Sequence, residues 1–532
     1  MSGAGRHGVY FANEAQGEIS HNHVTGSHEH GIALTGFHGD VRDNVVTDSR
    51  SLGFTVVGNV YGDITRNDFG SNRRGGVVID GDLTGDLVNN AVSESLLGAG
   101  ILVSGSVGGD VAENTVTDNA GYDGDGVAIG GSVGGDFSDN IVQSNEGYGA
   151  SIGGDVNGDV RGNHVDANHA GLRIGGAIGG DVVDNEFFDN DQHGFYVYGS
   201  VGGDVIGNEA IGNASGMQLL GGVGGEVAGN VASGNFSTVS SVMRPLPFGS
   251  SAFNVPRLST VDSLDLDYIT GDPWQEASSG VGINVVGGAA AFRDNVTNHN
   301  LTGARIDSAS VVERNQAINN YGNGLTIYGS TAGDITNNTA AWNDSTGIVV
   351  SGVVAGGVVE NTVVGNRTGL SVDGQVDGGI TRNTADGNSD GIYVGWSYTG
   401  DITHNHVTSS WDTGIDVRGE LNGDFSHNVV TGTSWGNGVY LGGRVAGDVA
   451  YDVVTDAQGA GIHINSRVGG DVAHNAITGN RGPGIQVNSS VEGDVAYNRI
   501  IGNTSHGLSL YGGVEGDLLG NVASENGRFG IY

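Results

Sequence analysis

Aromatic, acidic and basic side chains are concentrated between about residues 390 and 467, at the outward positions of short apolar strands or directly beside them. Aromatic rings offer apolar faces on which a sugar ring can stack, while Asp and Arg can bind hydroxyls or carboxylates. This combination predicts a glycan-binding surface, with ordinary decoration of solvent-facing strands as the competing interpretation. The candidate residues are Tyr393, Trp396, Trp411, Asp412, Asp416, Arg418, Trp435, Tyr440 and His463.

A smaller patch of the same kind is predicted at Arg173, His193, Tyr196 and Tyr198. It combines one cationic side chain with an imidazole and two phenol rings. We treat it as a second candidate for binding a saccharide.

Two groups of residues could bind metal ions. The stretch "DSLDLDYITGDPW" brings together Asp262, Asp265, Asp267 and Asp272, and hard cations such as Ca²⁺ prefer oxygen ligands, although the spacing fits no EF-hand. Near the N-terminus, imidazoles are dense enough to suggest a metal site, with corner decoration as the alternative. These histidines are His21, His23, His28 and His30.

The elements that must position these side chains are repeats of about 23 residues, which begin at an acidic position after glycine. Spacings lie between 20 and 26 residues, apart from one interruption of 65. The copies begin at Glu18, Asp40, Asp63, Asp86, Asp110, Asp136, Asp159, Asp181, Asp204, Glu226, Ala291, Val311, Asp334, Gly357, Gly379, Asp401, Asp424, Asp448, Asp471, Asp494 and Asp517. Such a period is the signature of a solenoid.

Each repeat reads as three short strands. Alternation such as "GIHIN" at 461–465 predicts one strand with a buried face, and the apolar residues of "GDV" and "NxVxxN" mark two more. Stacked coils about 4.8 Å apart would form a rod roughly 100 Å long. Asn follows the acidic position by four residues in every copy except that of Asp452, and most copies have a second Asn five residues later. These columns predict asparagine ladders, with the asparagines in left-handed backbone conformation at the corners.

The acidic position itself forms a column of like charges. Each carboxylate could accept backbone N–H bonds at its glycine corner and face water, which would screen the repulsion. The alternative is a line of Ca²⁺ sites. The fold requires no cofactor, and Ca²⁺ is the one that these carboxylates would take.

This pattern resembles the right-handed parallel β-helix superfamily, meaning the pectate-lyase-like fold, and in style it is closest to autotransporter passengers. The resemblance implies an all-β solenoid of about 21 coils. The 65-residue spacing and its four prolines predict a Pro-containing loop or subdomain at 236–280 between solenoid segments 1–235 and 281–532. That loop could instead be a packed flap or a dimer contact. The superfamily includes lyases, hydrolases, epimerases and structural rods, so the resemblance leaves function open.

The catalytic motifs of enzymes in this superfamily are missing from the sequence. It contains neither the Asp-Asp and Gly-His-Gly of polygalacturonases nor the Asp-Pro-His of alginate epimerases. A lyase would need an Arg base beside acidic residues. Arg418, Arg444 or Arg467 could serve with Asp390, Asp412 or Asp416, but no spacing selects among them. We therefore assign no catalytic residue.

A net charge of −39 disfavours nucleic acid and anionic membranes as partners, and no segment is apolar enough for membrane insertion. Both ends of the sequence read as mid-coil strands, which predicts end-to-end self-association or a longer parent array. We expect an extracellular or cell-surface rod with a structural or adhesive role and a glycan-binding face. The alternative is a polysaccharide lyase, epimerase or glycoside hydrolase on the same scaffold.

Overall fold

The computed structural model describes residues 3, 5–121, 124–236 and 280–532, and these form one parallel β-solenoid. The sequence predicts this all-β solenoid correctly. Strands recur in three sheets, called sheets I, II and III in the order in which each coil visits them. Each strand pairs in parallel with the equivalent strand of the next coil, so every position of the repeat becomes a row along the axis.

Within the described ranges, sheet I has 21 strands, one per coil. Its strands are Val9–Phe11, Ile32–Leu34, Leu52–Val56, Gly75–Ile79, Ile101–Val103, Val127–Ile129, Tyr148–Ile152, Ala170–Ile174, His193–Val197, Ser215–Leu219, Val281–Val285, Thr302–Ile306, Leu325–Ile327, Thr346–Val350, Thr368–Val372, Asp390–Val394, Ile415–Val417, Val439–Leu441, Ile462–Ile464, Ile485–Val487 and Leu508–Leu510.

Sheet II is built from the "GDV" segments. Its strands are Ile19–Ser20, Val41–Arg42, Ile64–Thr65, Leu87–Val88, Val111–Ala112, Phe137–Ser138, Val160–Arg161, Val182–Val183, Val205–Ile206, Glu226–Ala228, Ala291–Arg293, Val312–Glu313, Ile335–Thr336, Val358–Val359, Ile380–Thr381, Ile402–Thr403, Phe425–Ser426, Val449–Ala450, Val472–Ala473, Val495–Ala496 and Leu518–Leu519.

Sheet III follows the first asparagine ladder. Its strands are His23–Thr25, Val45–Thr47, Ala91–Ser93, Thr115–Thr117, Ile141–Gln143, His164–Asp166, Glu186–Phe188, Glu209–Ile211, Val231–Ser233, Val296–Asn298, Gln316–Ile318, Thr339–Ala341, Thr362–Val364, Thr384–Asp386, His406–Thr408, Val429–Thr431, Val453–Thr455, Ala476–Thr478, Arg499–Ile501 and Val522–Ser524. In the coil without such a strand, Asp68 bridges its two neighbours.

A fourth row of pairing lies between sheets I and II, and the three-strand prediction does not include it. In the first coils it consists of the short strands Ala15–Gln16, Phe37–His38 and Val60–Tyr61. Further along, single residues such as Leu83 and Val107 bridge from coil to coil. The residue in this row is apolar in nearly every coil and Thr331 in one, and residues such as Leu83, Val107 and Val354 are buried in the core although they pair only as single bridges.

The core fills the inside of the solenoid. One coil shows how: Ile462 and Ile464 of sheet I, Val472 of sheet II, Ile477 of sheet III and Val468 of the bridging row are all 0% exposed. β-Branched residues suit these short buried strands because their shape packs well on a pleated surface. Their stacking joins the cores of successive coils into one hydrophobic cluster.

The predicted asparagine ladders are present. The Oδ1 atom of Asn361 accepts hydrogen bonds from both the backbone N–H and the Nδ2 of Asn338, at 3.0 and 2.9 Å. Its own Nδ2 donates to the carbonyl of Ile335. The ladder asparagines from Asn44 to Asn503 are buried, so each must satisfy its amide within the protein, and adjacent coils supply the partners.

The predicted backbone conformation of these asparagines is wrong. Among the described residues, the residue before each ladder asparagine has the positive φ, as at Asp43 (56°) before Asn44 and Arg66 (54°) before Asn67. The preceding residue turns the corner with its side chain in solvent, and this turn directs the asparagine side chain into the core.

The interruption does not break the solenoid. Glu226 pairs with Ala291, and Asn230 donates to Asn295 across the 65-residue gap as neighbours do elsewhere. Residues 237–279 lie outside the described part of the chain. The predicted cation cluster Asp262, Asp265, Asp267 and Asp272 lies there as well.

Candidate functional site

The predicted glycan-binding residues lie on four successive coils of sheet I. Tyr393, Asp416, Tyr440 and His463 are direct partners in register and form one row on the outer face. The alternation of the strand places them there, because the residues on either side of each point into the core. We call this row and its flanking aromatic residues the 390–467 face.

Asp416 is the centre of this face. It is only 3% exposed, although it lies on the outside of the solenoid. Its Oδ2 accepts from Nε of Arg418 at 2.9 Å and lies 2.6 Å from Nη2, whereas Oδ1 is buried and has no hydrogen-bond partner. A buried carboxylate oxygen without a donor is costly, and a bound hydroxyl group or a proton would satisfy it.

Arg418 connects Asp416 to the aromatic residues. Its guanidinium carbon lies 5.1 Å from the ring centre of Tyr440, and that ring meets His463 edge-on at 5.3 Å. A cation over an aromatic face is held in orientation by the ring. The face therefore has a fixed sequence of groups along the axis, with a buried acid, a cation, a phenol and an imidazole.

Tryptophan residues flank the row on both sides. Trp411 and Trp435 occupy the corner before the strand in successive coils, with ring centres 6.2 Å apart and planes tilted by 47°. They are 61% and 71% exposed, and Trp396, at the corner after the strand, is 72% exposed. Large apolar rings this exposed are typical of binding surfaces.

The corners that carry Trp411 and Trp435 are longer than the corresponding corners of the two preceding coils. Asn388 of the second ladder lies three positions before the strand glycine, whereas Ser410 lies four positions before it and Thr433 five. Ser410 and Thr433 replace ladder asparagines in these coils. Both indoles lie exposed at these corners, and backbone bonds such as Trp411 N–H to the Asn388 carbonyl join each corner to the coil before it.

Three carboxylates share this region and have different environments. Burial is the main cause that raises the pKa of Asp416, although Arg418 opposes it. Burial also raises the pKa of Asp390, and the neighbouring charge of Asp412 adds to the effect. Asp412 itself is exposed. The face can thus offer both a carboxyl that holds its proton more firmly than usual and an exposed carboxylate.

The other predicted residues are placed differently. His21 lies at an exposed corner, and His30 stacks on His7 with ring centres 5.3 Å apart. Within the described ranges, no group of three or more His, Asp or Glu residues could hold a metal ion. The patch around Arg173 is brought together, and Tyr148, which the sequence did not indicate, joins it.

The acidic column is a hydrogen-bond ladder. The Oδ1 of Asp448 accepts from the backbone N–H of Asp471 at 2.7 Å, and the same contact links Asp86 to Asp110 at 2.9 Å. A Cβ at Gly109 would collide with the Asp86 carboxylate, which explains the "GD" pair. The aspartates of the column from Asp40 to Asp494 accept backbone N–H bonds as expected, although the donor belongs to the next coil, whereas Glu18 and Glu226 bind Arg42 and Arg293 instead.

A feature that the sequence analysis missed lies at the corner before the first ladder. Five rings from successive coils stack with centres 4.7 to 5.2 Å apart. They are His404, His427, Tyr451, His474 and Tyr497. The signal was available, because all five stand directly before a ladder position. Their faces cover one another, so this aromatic ladder offers its edges and not an open platform.

Together these observations define a parallel β-helix with an aromatic and acidic outer face. The family model described as right handed beta helix region matches residues 7–150, 99–244 and 279–430. This is more than half of the chain, which therefore belongs to the right-handed β-helix family. A model described as periplasmic copper-binding protein (NosD) matches residues 355–507.

No curated protein and no solved structure matches the chain. The match to a periplasmic family agrees with a location outside the cytoplasm. In the part of the chain that the structure describes, no helix is long and apolar enough to cross a membrane.

Proposed function

We propose that this chain is an adhesive β-helix rod of the periplasm or cell surface that binds a polysaccharide through its 390–467 face. The observation that carries the proposal is the exposed pair Trp411 and Trp435 beside the buried Asp416, whose free oxygen can accept a hydrogen bond. Indole faces suit the apolar side of a sugar, and carboxylate oxygens suit its hydroxyls. A long rigid rod presents such a face at a fixed distance from its attachment point.

The charge of the face favours a neutral glycan. Asp390, Asp412 and Asp416 outnumber Arg418, which is already bound to Asp416. An acidic sugar stacked on the indoles would be repelled by these carboxylates. We therefore expect a hydroxyl-rich, uncharged saccharide chain at this face.

Isothermal titration with neutral hexasaccharides of glucose, xylose and mannose tests the proposal. We expect one of them to bind and the Trp411→Ala/Trp435→Ala double variant to lose at least tenfold in affinity. Trp342→Ala is the matched control, because Trp342 is 59% exposed but lies outside this face. Absence of binding to every neutral glycan, or an equal loss in the control, would contradict the proposal.

A second candidate is hydrolysis of the bound glycan, favoured by the contrast between Asp416 and Asp412. In this reaction the protonated fraction of Asp416, which is otherwise ionised and paired with Arg418, gives its proton to the leaving glycosidic oxygen as the glycosidic bond breaks, while Asp412 removes a proton from the water that adds to the anomeric carbon. The measurement is release of reducing ends from the hexasaccharide that binds. Asp416→Asn should lower the rate at least a hundredfold while binding remains. Binding without any release would leave the rod as a binding protein only.

A further inference from the structure

A second cluster lies on the same outer face of sheet I, in earlier coils. Arg173 pairs in register with Ser151 of the preceding coil and Tyr196 of the following one. Its guanidinium carbon lies 5.1 Å from the ring centre of Tyr198 and 6.0 Å from that of Tyr148. One cation is thus held between two phenol rings from different coils.

The local sequence explains why these rings can converge. Tyr148 is the register partner of Ala170, whose small side chain leaves room beyond it. The ring of Tyr148 therefore reaches His193 of the coil after that, with ring centres 6.0 Å apart. Tyr196 completes the cluster. Its ring centre lies 4.9 Å from the ring centre of His193 and 4.6 Å from that of Tyr198.

Among the described residues Arg173 has no acid partner, a property that it shares with arginines such as Arg481 and Arg499, but its guanidinium is the one that lies near two phenol rings. Arg66, Arg314 and Arg382 each bind a carboxylate of the preceding coil. Among the described residues, by contrast, no carboxylate oxygen forms an ion pair within 4.0 Å of Arg173. A guanidinium fork that is oriented by aromatic rings and has unused donors matches a planar carboxylate.

His193 supplies an independent sign of a missing ligand. It is 7% exposed, and its Nε2 is buried without a hydrogen-bond partner. Burial, followed by the positive charge of Arg173, lowers the pKa of His193 to about 4, so the ring is neutral in most conditions. A neutral imidazole with a free nitrogen is suited to a hydroxyl group and not to a second anion.

We propose that the cluster of Tyr148, Arg173, His193, Tyr196 and Tyr198 binds an acidic sugar. In this site Arg173 holds the sugar carboxylate, and the phenol and imidazole groups contact its hydroxyls and ring. This ligand class differs from the neutral glycan proposed for the 390–467 face. Arg173 and Asp416 are nine strands apart along sheet I, about 43 Å at the usual strand spacing.

That separation makes the two sites independent for mutational purposes. The test therefore uses the full chain carrying Trp411→Ala/Trp435→Ala, so that the 390–467 face no longer contributes. The probes are a galacturonate hexamer and its methyl ester, which has the same sugars without the charge. Dextran sulfate and poly-glutamate are added to separate carboxylated sugar from sulfated sugar and from acidic peptide.

We expect the galacturonate hexamer to bind at least tenfold more tightly than its methyl ester. Arg173→Gln should remove that preference, and Arg173→Lys should retain only part of it, because it keeps the charge without the fork. Arg499→Gln is the control, since it removes the same charge from an exposed position on sheet III. Thermal unfolding of each variant verifies that it is folded. If Arg173→Gln does not fold, the reduced preference of Arg173→Lys for the acid over its ester serves as the test instead.

Several results would overturn the proposal. Equal affinity for the galacturonate hexamer and its methyl ester would mean that the cluster does not recognise the sugar carboxylate. An equal loss in Arg499→Gln would assign the effect to net charge alone. Tighter binding of poly-glutamate or dextran sulfate than of the galacturonate hexamer would exclude a sugar acid as the ligand, as would no binding of the hexamer at all.

Discussion

Asn428 donates both its backbone N–H and its side-chain amide to one oxygen of Asp452, at 2.8 and 3.1 Å. Asp452 is the single acid in the first asparagine ladder. Its Oδ2 is buried without a hydrogen-bond partner, in a position where neighbouring ladder residues place an NH₂ group that donates to a backbone carbonyl. Burial raises the pKa of this carboxyl well above its usual range.

Asp452→Asn should therefore stabilise the protein, by about 2 kcal/mol at pH 7, because the amide supplies the missing donor. The folded pKa lies above the unfolded one, so the wild type is relieved of this cost below about pH 4 and bears it increasingly as pH rises toward the folded pKa. Denaturant unfolding at several pH values measures both effects. Asn475→Asp is the reverse control and should destabilise. A wild type as stable as Asp452→Asn at neutral pH would contradict the account.

The ladders show how much of the fold the sequence could predict. Repeat length, inward residues and asparagine rows follow from periodicity, because each repeats in nearly every coil. The backbone conformation at Asn44 could not be predicted from its residue type, since Asn tolerates the left-handed region and the sequence does not say which of two adjacent residues occupies it. The structure assigns that conformation to Asp43.

The candidate site was predictable in composition but not in contacts. Alternation placed Tyr393, Asp416 and Tyr440 on the outside, and the structure agrees. It could not show that Asp416 is buried, because burial of an outward residue depends on where neighbouring side chains such as that of Arg418 lie. Tyr148 was missed for a similar reason, since its contact with His193 depends on the small Ala170 between them.

In each coil a glycine directly precedes a core residue of sheet I, as Gly461 precedes Ile462, and close packing requires a glycine there. A Cβ at Gly461 would meet the side chain of Ile477 and the carbonyl oxygen of Gly484 at 2.6 Å. Gly461→Ala should destabilise by about 3 kcal/mol because backbone and core must both shift. Gly513→Ala is the control, since nothing lies within 4 Å of that site and its backbone is not left-handed. Chemical denaturation compares the two, and equal losses would show that packing is not the cause.

The aromatic ladder should contribute to stability although it lies at the surface. Tyr451 stacks on His427 and on His474 at 4.8 Å each. Tyr451→Asn keeps a residue that tolerates the left-handed backbone but removes two ring contacts, and we expect a loss of about 1 to 3 kcal/mol. Tyr451→Phe, which keeps the ring, should change stability by less than about 0.5 kcal/mol. Similar losses in both variants would assign the effect to the hydroxyl group instead.

The acidic column should tolerate loss of charge but not of its acceptor. Asp448→Asn retains an oxygen for the backbone N–H of Asp471 and removes repulsion, so its stability should equal or slightly exceed that of the wild type at low salt. Asp448→Ala should lose about 1 kcal/mol of stability, and thermal unfolding of both variants measures the difference.

Thermal unfolding with and without Ca²⁺ tests the alternative in which the acidic column binds cations. Stabilisation by Ca²⁺ that is weaker in Asp448→Asn would support calcium binding there, and an unchanged response would oppose it.

Arg418 should contribute to the stability of the folded protein mainly by neutralising the buried carboxylate of Asp416. Asp416 is buried while the side chain of Arg418 is about half exposed, so Arg418→Ala leaves a buried charge without its partner and should cost about 2 kcal/mol at pH 7. Removing Arg418 also removes the interaction that opposes the rise in the pKa of Asp416. The loss of stability in Arg418→Ala should therefore shrink as pH falls and the carboxyl takes up a proton.

In the Asp416→Asn background, Arg418→Ala should cost far less stability, and a double-mutant cycle measured by urea unfolding gives the coupling energy between the two residues. An equal cost in both backgrounds would mean that Arg418 acts through its contact with Tyr440 and not through Asp416.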